Sequence, residues 1–448
     1  MKSPRKPVIW LAATLILTGV IVTGLCSGGW WFGVSEDDLD DVITAMRARG
    51  ESPTLADVAP SPAREHEGSG MMLREAWEWL RNEGPPEAEW PRIEDLTLAT
   101  FVQLPREKQA ELRAFTESMG PFLTLVRRAS TKRQLRLGPP ADGSEPLGDQ
   151  SRGGLLIRTV RLLRHARITS WQEGDQSAYL DLVRVQADLA AHVTPTSSSY
   201  EAVRAAEALG DVLVAGQHAL RLGNCPAQDV RAAVEPALTY DADALFRSAL
   251  RLDRAWWLTV MAKLSGDVAG GWPTGEEMAL RTPWRDRSVR AGAIAWLRAV
   301  DHVLDAPTGD YLETARRLRA WGDRPNPYWA GTFDPGSAVL GMARVMPPAL
   351  CRQTTSLAAL QRVCDLALAA RAQHEESGRW PRSLTDVASE VPRDRLIDPF
   401  TGGEIAFEAH ADGVVISCRG PVDTRVWGRA ALPPNAPLVR ALVWDLRR

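Results

Sequence analysis

Lysine is scarce in this sequence: it accounts for only five of the 53 basic residues, and arginine for all the others. Such a preference is typical of a GC-rich genome rather than of a binding function. The basic residues are outweighed by 56 acidic ones, and the formal net charge is −3. Proteins that bind nucleic acid usually carry a clear basic excess. We therefore expect no nucleic-acid partner.

Cysteine is also rare, and its spacing favours no metal site. The five cysteines are Cys26, Cys225, Cys351, Cys364 and Cys418, and no two of them form a Cys-x-x-Cys pair. Structural zinc sites usually contain such closely spaced pairs. Five cysteines also cannot all pair with one another. The sequence therefore predicts no metal ion, while a single disulfide in an oxidising compartment stays open.

The common catalytic motifs are absent as well. The sequence contains no nucleotide-binding glycine loop, no serine-hydrolase elbow and no metalloprotease helix motif. Adjacent carboxylates such as Glu276 and Glu277 point to different sides of a helix and make poor acid–base pairs. We therefore predict no catalytic residue, no cofactor and no metal, and we expect a protein that is not an enzyme. A catalytic carboxylate pair distant in sequence stays open.

An apolar run near the N-terminus indicates the compartment. Residues 8–25 carry no charged side chain, and the run has about the length that a membrane-spanning helix needs. Lys2, Arg5 and Lys6 precede it, and the acidic stretch 35–41 follows it. Because basic flanks stay cytoplasmic, we expect a single-pass protein with a cytoplasmic N-terminus. The bulk of the chain would then lie outside the cytoplasm, in the periplasm of a bacterial envelope.

Two other fates of this segment stay open. A cleaved signal peptide is disfavoured because no clear small-residue cleavage site follows the apolar run. A lipoprotein signal would use Cys26, but the preceding Leu25 is larger than the residue that normally stands there. We therefore favour a signal-anchor that is retained and holds the protein in the membrane through residues 8–25.

Hydrophobic periodicity organises the rest of the chain and predicts a mainly α fold. Apolar residues recur at helical spacing, as at Leu209, Val212 and Leu213, and short polar breakers separate the stretches. This pattern is typical of α-helical hairpins. After a last helix over about 355–376, two alternating runs around Gly413 indicate a β-hairpin. The predicted segments are a basic end with the transmembrane anchor (1–34), an acidic and proline-rich linker (35–70), a helical array (71–350), and a long helix with a β-hairpin or three-stranded antiparallel sheet (351–448).

The last segment contains a series of turn-forming residues. Proline ends a helix, an Asp-Pro pair starts a turn, and glycine accepts a positive φ. The residues are Gly378, Trp380, Pro381, Asp398, Pro399, Phe400 and Gly402. We expect Trp380 to be buried as a wedge between the last helix and the sheet.

In their order, these residues resemble the C-terminal region of the type II secretion pseudopilins. The tail resembles still more a group of uncharacterised bacterial proteins with one N-terminal anchor and a helical middle. The resemblance covers residues 370–421 and implies a helix, two turns and a small sheet, but no activity. The prepilin leader with its Gly-Phe junction is missing. The stretch after the second predicted strand has too few acidic residues to imply calcium.

These observations favour one function and leave two alternatives. We expect a membrane-anchored, envelope-exposed helical scaffold or protein-interaction module, with a protein partner in the cell envelope. The first alternative is an accessory component of a secretion or pilus-like apparatus, and only the tail supports it. The second is a hydrolase of envelope polymers, because the carboxylates of such enzymes have no fixed spacing.

Overall fold

The computed structural model describes residues 36–51, 69–86, 90–91, 105–132, 152–193, 199–222, 225–265, 294, 296–322, 335–420 and 443–446. Most of these residues are helical, which confirms the mainly α fold class. The helices are α1 (Glu36–Ala48), α2 (Ser69–Asn82), α3 (Arg106–Ser118), α4 (Gly120–Ser130), α5 (Arg152–Gln172), α6 (Gln176–Ala191), α7 (Ser199–Leu222), α8 (Ala227–Leu238), α9 (Ala242–Ser265), α10 (Tyr311–Gly322), α11 (Pro335–Ser377) and α12 (Leu384–Val387). Residues 296–304 are helical too, and Arg393–Leu396 form a 3-10 turn.

Short connections join consecutive helices of the array. Between α5 and α6, Gly174 adopts a φ of +76° and reverses the chain. Asp175 then caps α6, because its carboxylate accepts the Ala178 N–H at 2.9 Å. The chain therefore reverses at 173–175, and α5 and α6 pack side by side.

Helix α7 lies at the centre of the array and packs against α5, α6, α8, α9 and α11. Its predicted apolar stripe is confirmed, since Leu209, Val212 and Leu213 are completely buried. Gly216 continues this stripe where α8 comes closest. A Cβ added there would lie 2.9 Å from a methyl group of Val234, so only glycine allows this approach.

Side chains of other elements donate hydrogen bonds to backbone carbonyl groups in the C-terminal half of α8. Pro236 lacks the N–H that would bond to Ala232 O, and Arg184 donates to that oxygen instead at 2.6 Å. The amide of Gln361 on α11 donates to Ala237 O at 2.7 Å. Arg395 of the 3-10 turn donates to Leu238 O at 3.1 Å. These bonds tie α8 to the C-terminal segment.

Helix α11 differs most from its prediction. It begins at Pro335 rather than near residue 355, and it runs through Pro347 and Pro348. The two prolines remove backbone donors, but Leu350 and Cys351 next to them are buried in the core. Tertiary packing therefore outweighs the local helix-breaking signal. The segment boundary predicted between 350 and 351 falls inside this helix.

The small sheet of the tail has the order β1-β2-β3, with β1 at Ala406–His410, β2 at Gly413–Ser417 and β3 at Val443–Asp445. Both pairs are antiparallel, and His410 faces Gly413 across a two-residue turn. The predicted hairpin and third strand are thus confirmed. Strands β2 and β3 pack on α11, and one continuous apolar core extends from Leu73 in α2 to Leu446.

The predicted linker is partly helical, because α1 begins within it at Glu36. Helix α1 is attached through Met46, which is completely buried against Leu297. None of the described helices is long and apolar enough to span a membrane. The predicted anchor at 8–25 lies outside the described residues.

Candidate functional site

The predicted turn residues hold the tail together. Gly378 and Gly402 both adopt a φ of +70°, the left-handed conformation that glycine tolerates. Asp398 is 1% exposed, and its carboxylate accepts the N–H groups of Phe400 at 2.9 Å and of Arg419 at 2.8 Å. It therefore joins its own turn to the chain that leaves β2. Pro381, Pro399 and Phe400 are buried around these turns, which gives the set a structural role.

The position of Trp380 differs from the expected wedge. Its ring is only half-buried and stacks on His374, with ring centroids 4.2 Å apart and planes 5° from parallel. The Arg371 guanidinium lies 6.0 Å from the ring centroid. Trp380 thus covers the end of α11. Among the described residues of the tail, Trp444 on β3 is the tryptophan that is completely buried.

A buried charge cluster lies between α5 and α7 and has one carboxylate for two guanidinium groups. Asp211 accepts hydrogen bonds from Arg164 and from Arg167, both at 2.6 Å. Gln186 on α6 donates to the same carboxylate at 3.0 Å. Burial by itself raises the pKa of Asp211, but the two arginines and Gln186 outweigh it and hold the pKa well below its usual range.

The donors of this cluster are not all satisfied. The Arg167 side chain is 4% exposed, and its Nη1 has no hydrogen-bond partner among the described residues. Within the same part of the chain, the buried Nε of Arg164 also lacks a partner. Two cations that share one anion leave an excess positive charge, which is costly to bury. The two unpartnered donors are themselves buried, and of the two arginines only Arg164 reaches solvent, with one third of its side chain exposed.

Two histidines lie near the same charges. Burial lowers the pKa of His165 to about 4, and the charges of Arg164 and Arg161 add to this effect. Burial also lowers the pKa of His218 to about 4, again with help from neighbouring arginines. Both imidazoles are neutral at pH 7 and add no charge to the cluster.

A second ionic cluster fixes α1 to the body. Arg254 is 1% exposed and donates at 2.8 Å to Glu51, which follows α1, and at 2.8 Å to Asp301. Arg49 pairs with Asp301 at 2.9 Å. Each carboxylate thus has a guanidinium partner. Because the charges balance, this cluster has a structural role.

A groove of about 360 Å³ lies where α6 and α8 end and α9 begins. Its lining is mainly apolar, and the one carboxylate among the lining residues, Asp241, already caps α9 by accepting the Ala244 N–H at 2.8 Å. The Tyr240 hydroxyl donates to Val193 O at 3.2 Å. The lining residues of the groove therefore present an apolar concave surface, and the one charged side chain among them is already used as a helix cap.

The described cysteines are free thiols in the core. Burial raises the pKa of Cys351 to about 12 and raises that of Cys364 as well, so both stay protonated. Cys225 and Cys418 are also buried and form no disulfide within the described chain, while Cys26 lies outside the described residues. Within the described chain, no group of acidic, histidine and cysteine side chains could hold a metal ion.

Sequence reasoning missed the Asp211 cluster. Its members come from three helices, and Arg164 and Asp211 are separated by 47 positions. A local signal did exist: α5 has an arginine at every third position from 158 to 167 and no acidic residue. Such a helix needs a carboxylate from elsewhere, although the sequence does not say which one.

The comparisons with known proteins gave no relative for this chain. No protein family, no curated protein and no solved structure matches it.

Proposed function

We propose that this protein is a membrane-anchored, envelope-exposed helical scaffold that binds another protein. The observation that carries the proposal is the short distance along the chain between the apolar run 8–25 and α1. Ten residues separate the apolar run 8–25 from Glu36, where α1 begins. Ten residues span at most about 35 Å when fully extended. An anchor at 8–25 would therefore hold the helical body close to the membrane surface.

The shared core also supports a scaffold role. The array and the tail share one core, and side chains from α11 and the 3-10 turn cap the end of α8. Such a unit presents fixed surfaces to a partner, as stacked helix pairs commonly do.

Topology measurements test the anchor. A reporter active only outside the cytoplasm, fused after Arg448, should be active, and the protein should stay in the membrane pellet after a carbonate wash. Replacing Lys2, Arg5 and Lys6 with glutamate should impair or invert insertion, because these residues supply the charge bias. Release of the parent protein into the soluble fraction would refute the anchor.

The Cys26→Ser variant tests whether the attachment is a lipid rather than a peptide segment. It should remain in the membrane pellet like the parent protein, and neither protein should incorporate labelled palmitate. Release of the variant, or labelling of the parent alone, would assign the attachment to a lipid on Cys26.

An accessory role in a secretion apparatus is the second candidate, and the tail favours it. The order of helix, turns and antiparallel sheet in the tail is the one that the resemblance to pseudopilins implies. Deletion of the gene should then reduce export of a secreted substrate, and the full chain should restore it. Unchanged export would exclude this role.

A further inference from the structure

Helix α5 has a charge composition opposite to that of the whole protein. Its 21 residues include five arginines and no acidic residue, whereas the complete chain has a net charge of −3. Arg164 and Arg167 turn towards α7 and share Asp211. Arg158 and Arg161, in contrast, are exposed. Among the described residues, neither has a carboxylate within 4.0 Å, the distance of an ion pair.

The spacing places these arginines in one row. Side chains three positions apart are neighbours on a helix, with Cβ atoms roughly 5–6 Å apart. Arg158, Arg161 and Arg164 therefore follow one another along about 9 Å of the helix axis. The row ends at Arg164, whose side chain is one third exposed and pairs with Asp211 at 2.6 Å.

We propose that the arginine row of α5, formed by Arg158, Arg161 and Arg164, binds an acidic polypeptide segment of a partner protein. The proposal rests on the proposed function, because it names the chemistry of the scaffold's partner. Guanidinium groups match carboxylates in charge and in geometry. The carboxylate of Asp211 already shows this match, because it accepts a hydrogen bond from the Arg164 guanidinium at 2.6 Å.

Geometry favours a flexible chain over a membrane surface. Each step of three residues turns by about 60° around the helix axis. The row therefore winds by about 120° between Arg158 and Arg164, and the phosphates of a flat bilayer could reach only part of it. A peptide can follow the winding. The negative net charge of the protein also disfavours a dense polyanion such as nucleic acid.

The test measures binding of a defined probe to the purified full-length protein in mild detergent. The probe is a fluorescent twelve-residue peptide of alternating Glu and Ser, whose carboxylates lie about 7 Å apart when extended. The same peptide with Gln in place of Glu is the neutral control. Fluorescence anisotropy should show saturable binding of the acidic peptide. The affinity should decrease when the salt concentration is raised from about 50 to about 300 mM, because salt screens exposed ion pairs.

The R158Q/R161Q variant should bind the acidic peptide about tenfold more weakly, since two ion pairs are lost. The R379Q/R382Q variant is the matched control, because these arginines of the tail are also exposed and three positions apart. It should bind like the parent protein. Circular dichroism should be unchanged in both variants, as all four side chains are exposed.

Three results would overturn the proposal: equal binding of the neutral peptide, unchanged affinity of R158Q/R161Q, or an equal loss in R379Q/R382Q. Vesicles containing phosphatidylglycerol form a further arm. If they bind through Arg158 and Arg161 while the peptide does not, the row recognises lipid and the proposal fails. None of these results depends on membrane topology, so the anchor could fail while peptide binding holds, or the reverse.

Discussion

Replacing Asp211 with alanine removes the only carboxylate among the described residues that is bonded to Arg164 and Arg167. The Arg167 side chain is 4% exposed and cannot turn to solvent without opening the contact between α5 and α7. Removing one partner of a buried ion pair costs about 3–5 kcal/mol. Asp211 is itself 17% exposed, so we expect the lower end, about 3 kcal/mol. This is a large part of a usual stability of about 5–15 kcal/mol.

Urea denaturation followed by circular dichroism measures this loss. Asp181→Ala is the matched control, because Asp181 pairs with Arg127 at 2.9 Å while both side chains stay about half exposed. Such a surface pair contributes less than about 1 kcal/mol. If the two variants lost equal stability, the burial argument for Asp211 would be wrong.

A double variant separates the charge from the packing. Arg167→Met together with Asp211→Leu removes the buried cation and the carboxylate at once. Replacing a buried pair by apolar side chains is often nearly neutral, so the double variant should be more stable than Asp211→Ala. The pKa of Asp211 is lowered in the folded protein, so its contribution to stability is present above about pH 4. It is lost as the pH falls towards the folded pKa.

Three further predictions concern single side chains. His165 has a folded pKa of about 4, so on acidification the unfolded chain takes up the proton first. The free energy of unfolding should therefore decrease as the pH falls from about 6.5 to about 4. The His165→Gln variant should lose less stability over this range than the parent protein, and an equal loss would refute the assignment. Gly216→Ala should destabilise the protein by about 1–2 kcal/mol, since the new methyl group would lie 2.9 Å from a valine of α8. Gly120→Ala, with nothing within 4 Å of the new methyl group, should be neutral or stabilising, and equal urea midpoints would contradict the packing argument. Trp444→Ala should cost about 3–5 kcal/mol and make the tail sensitive to protease, whereas Trp380→Ala should cost less because that ring is half-buried; matching proteolysis patterns would contradict this ranking.

Features with a local cause could be predicted from the sequence. The apolar stripe of α7 and the hairpin around Gly413 follow from periods of about four and two residues, which neighbours in the chain define. The turn at 173–175 needs only a glycine and a capping aspartate. The positive φ of Gly402 likewise follows from the Asp-Pro turn before it. The signals for these elements come from residues close together in the sequence, so they can be recognised without knowing the tertiary contacts.

Features that depend on distant partners could not be predicted. Helix α11 passes through Pro347 and Pro348 because the surrounding core accepts its apolar side chains. Arg254 finds Glu51 across 203 positions, and Gln361 reaches Ala237 across 124 positions. No local pattern marks such pairs, since each residue alone is compatible with an exposed helix face.

The abundance of arginine has a structural consequence that genome composition does not explain. The Arg247 guanidinium donates to the carbonyls of Leu304 and Ala306 at 2.7 and 2.8 Å, and so caps the helical stretch 296–304. Arg184 and Arg395 bond carbonyls of α8 in the same way. A planar guanidinium can bond two acceptors at fixed positions, which a lysine ammonium does less well. Arginine therefore stabilises the ends of helices in this fold. Arg158 and Arg161, the exposed arginines of α5, cap no helix and have no carboxylate beside them among the described residues, and our proposal of an acidic partner segment rests on this difference.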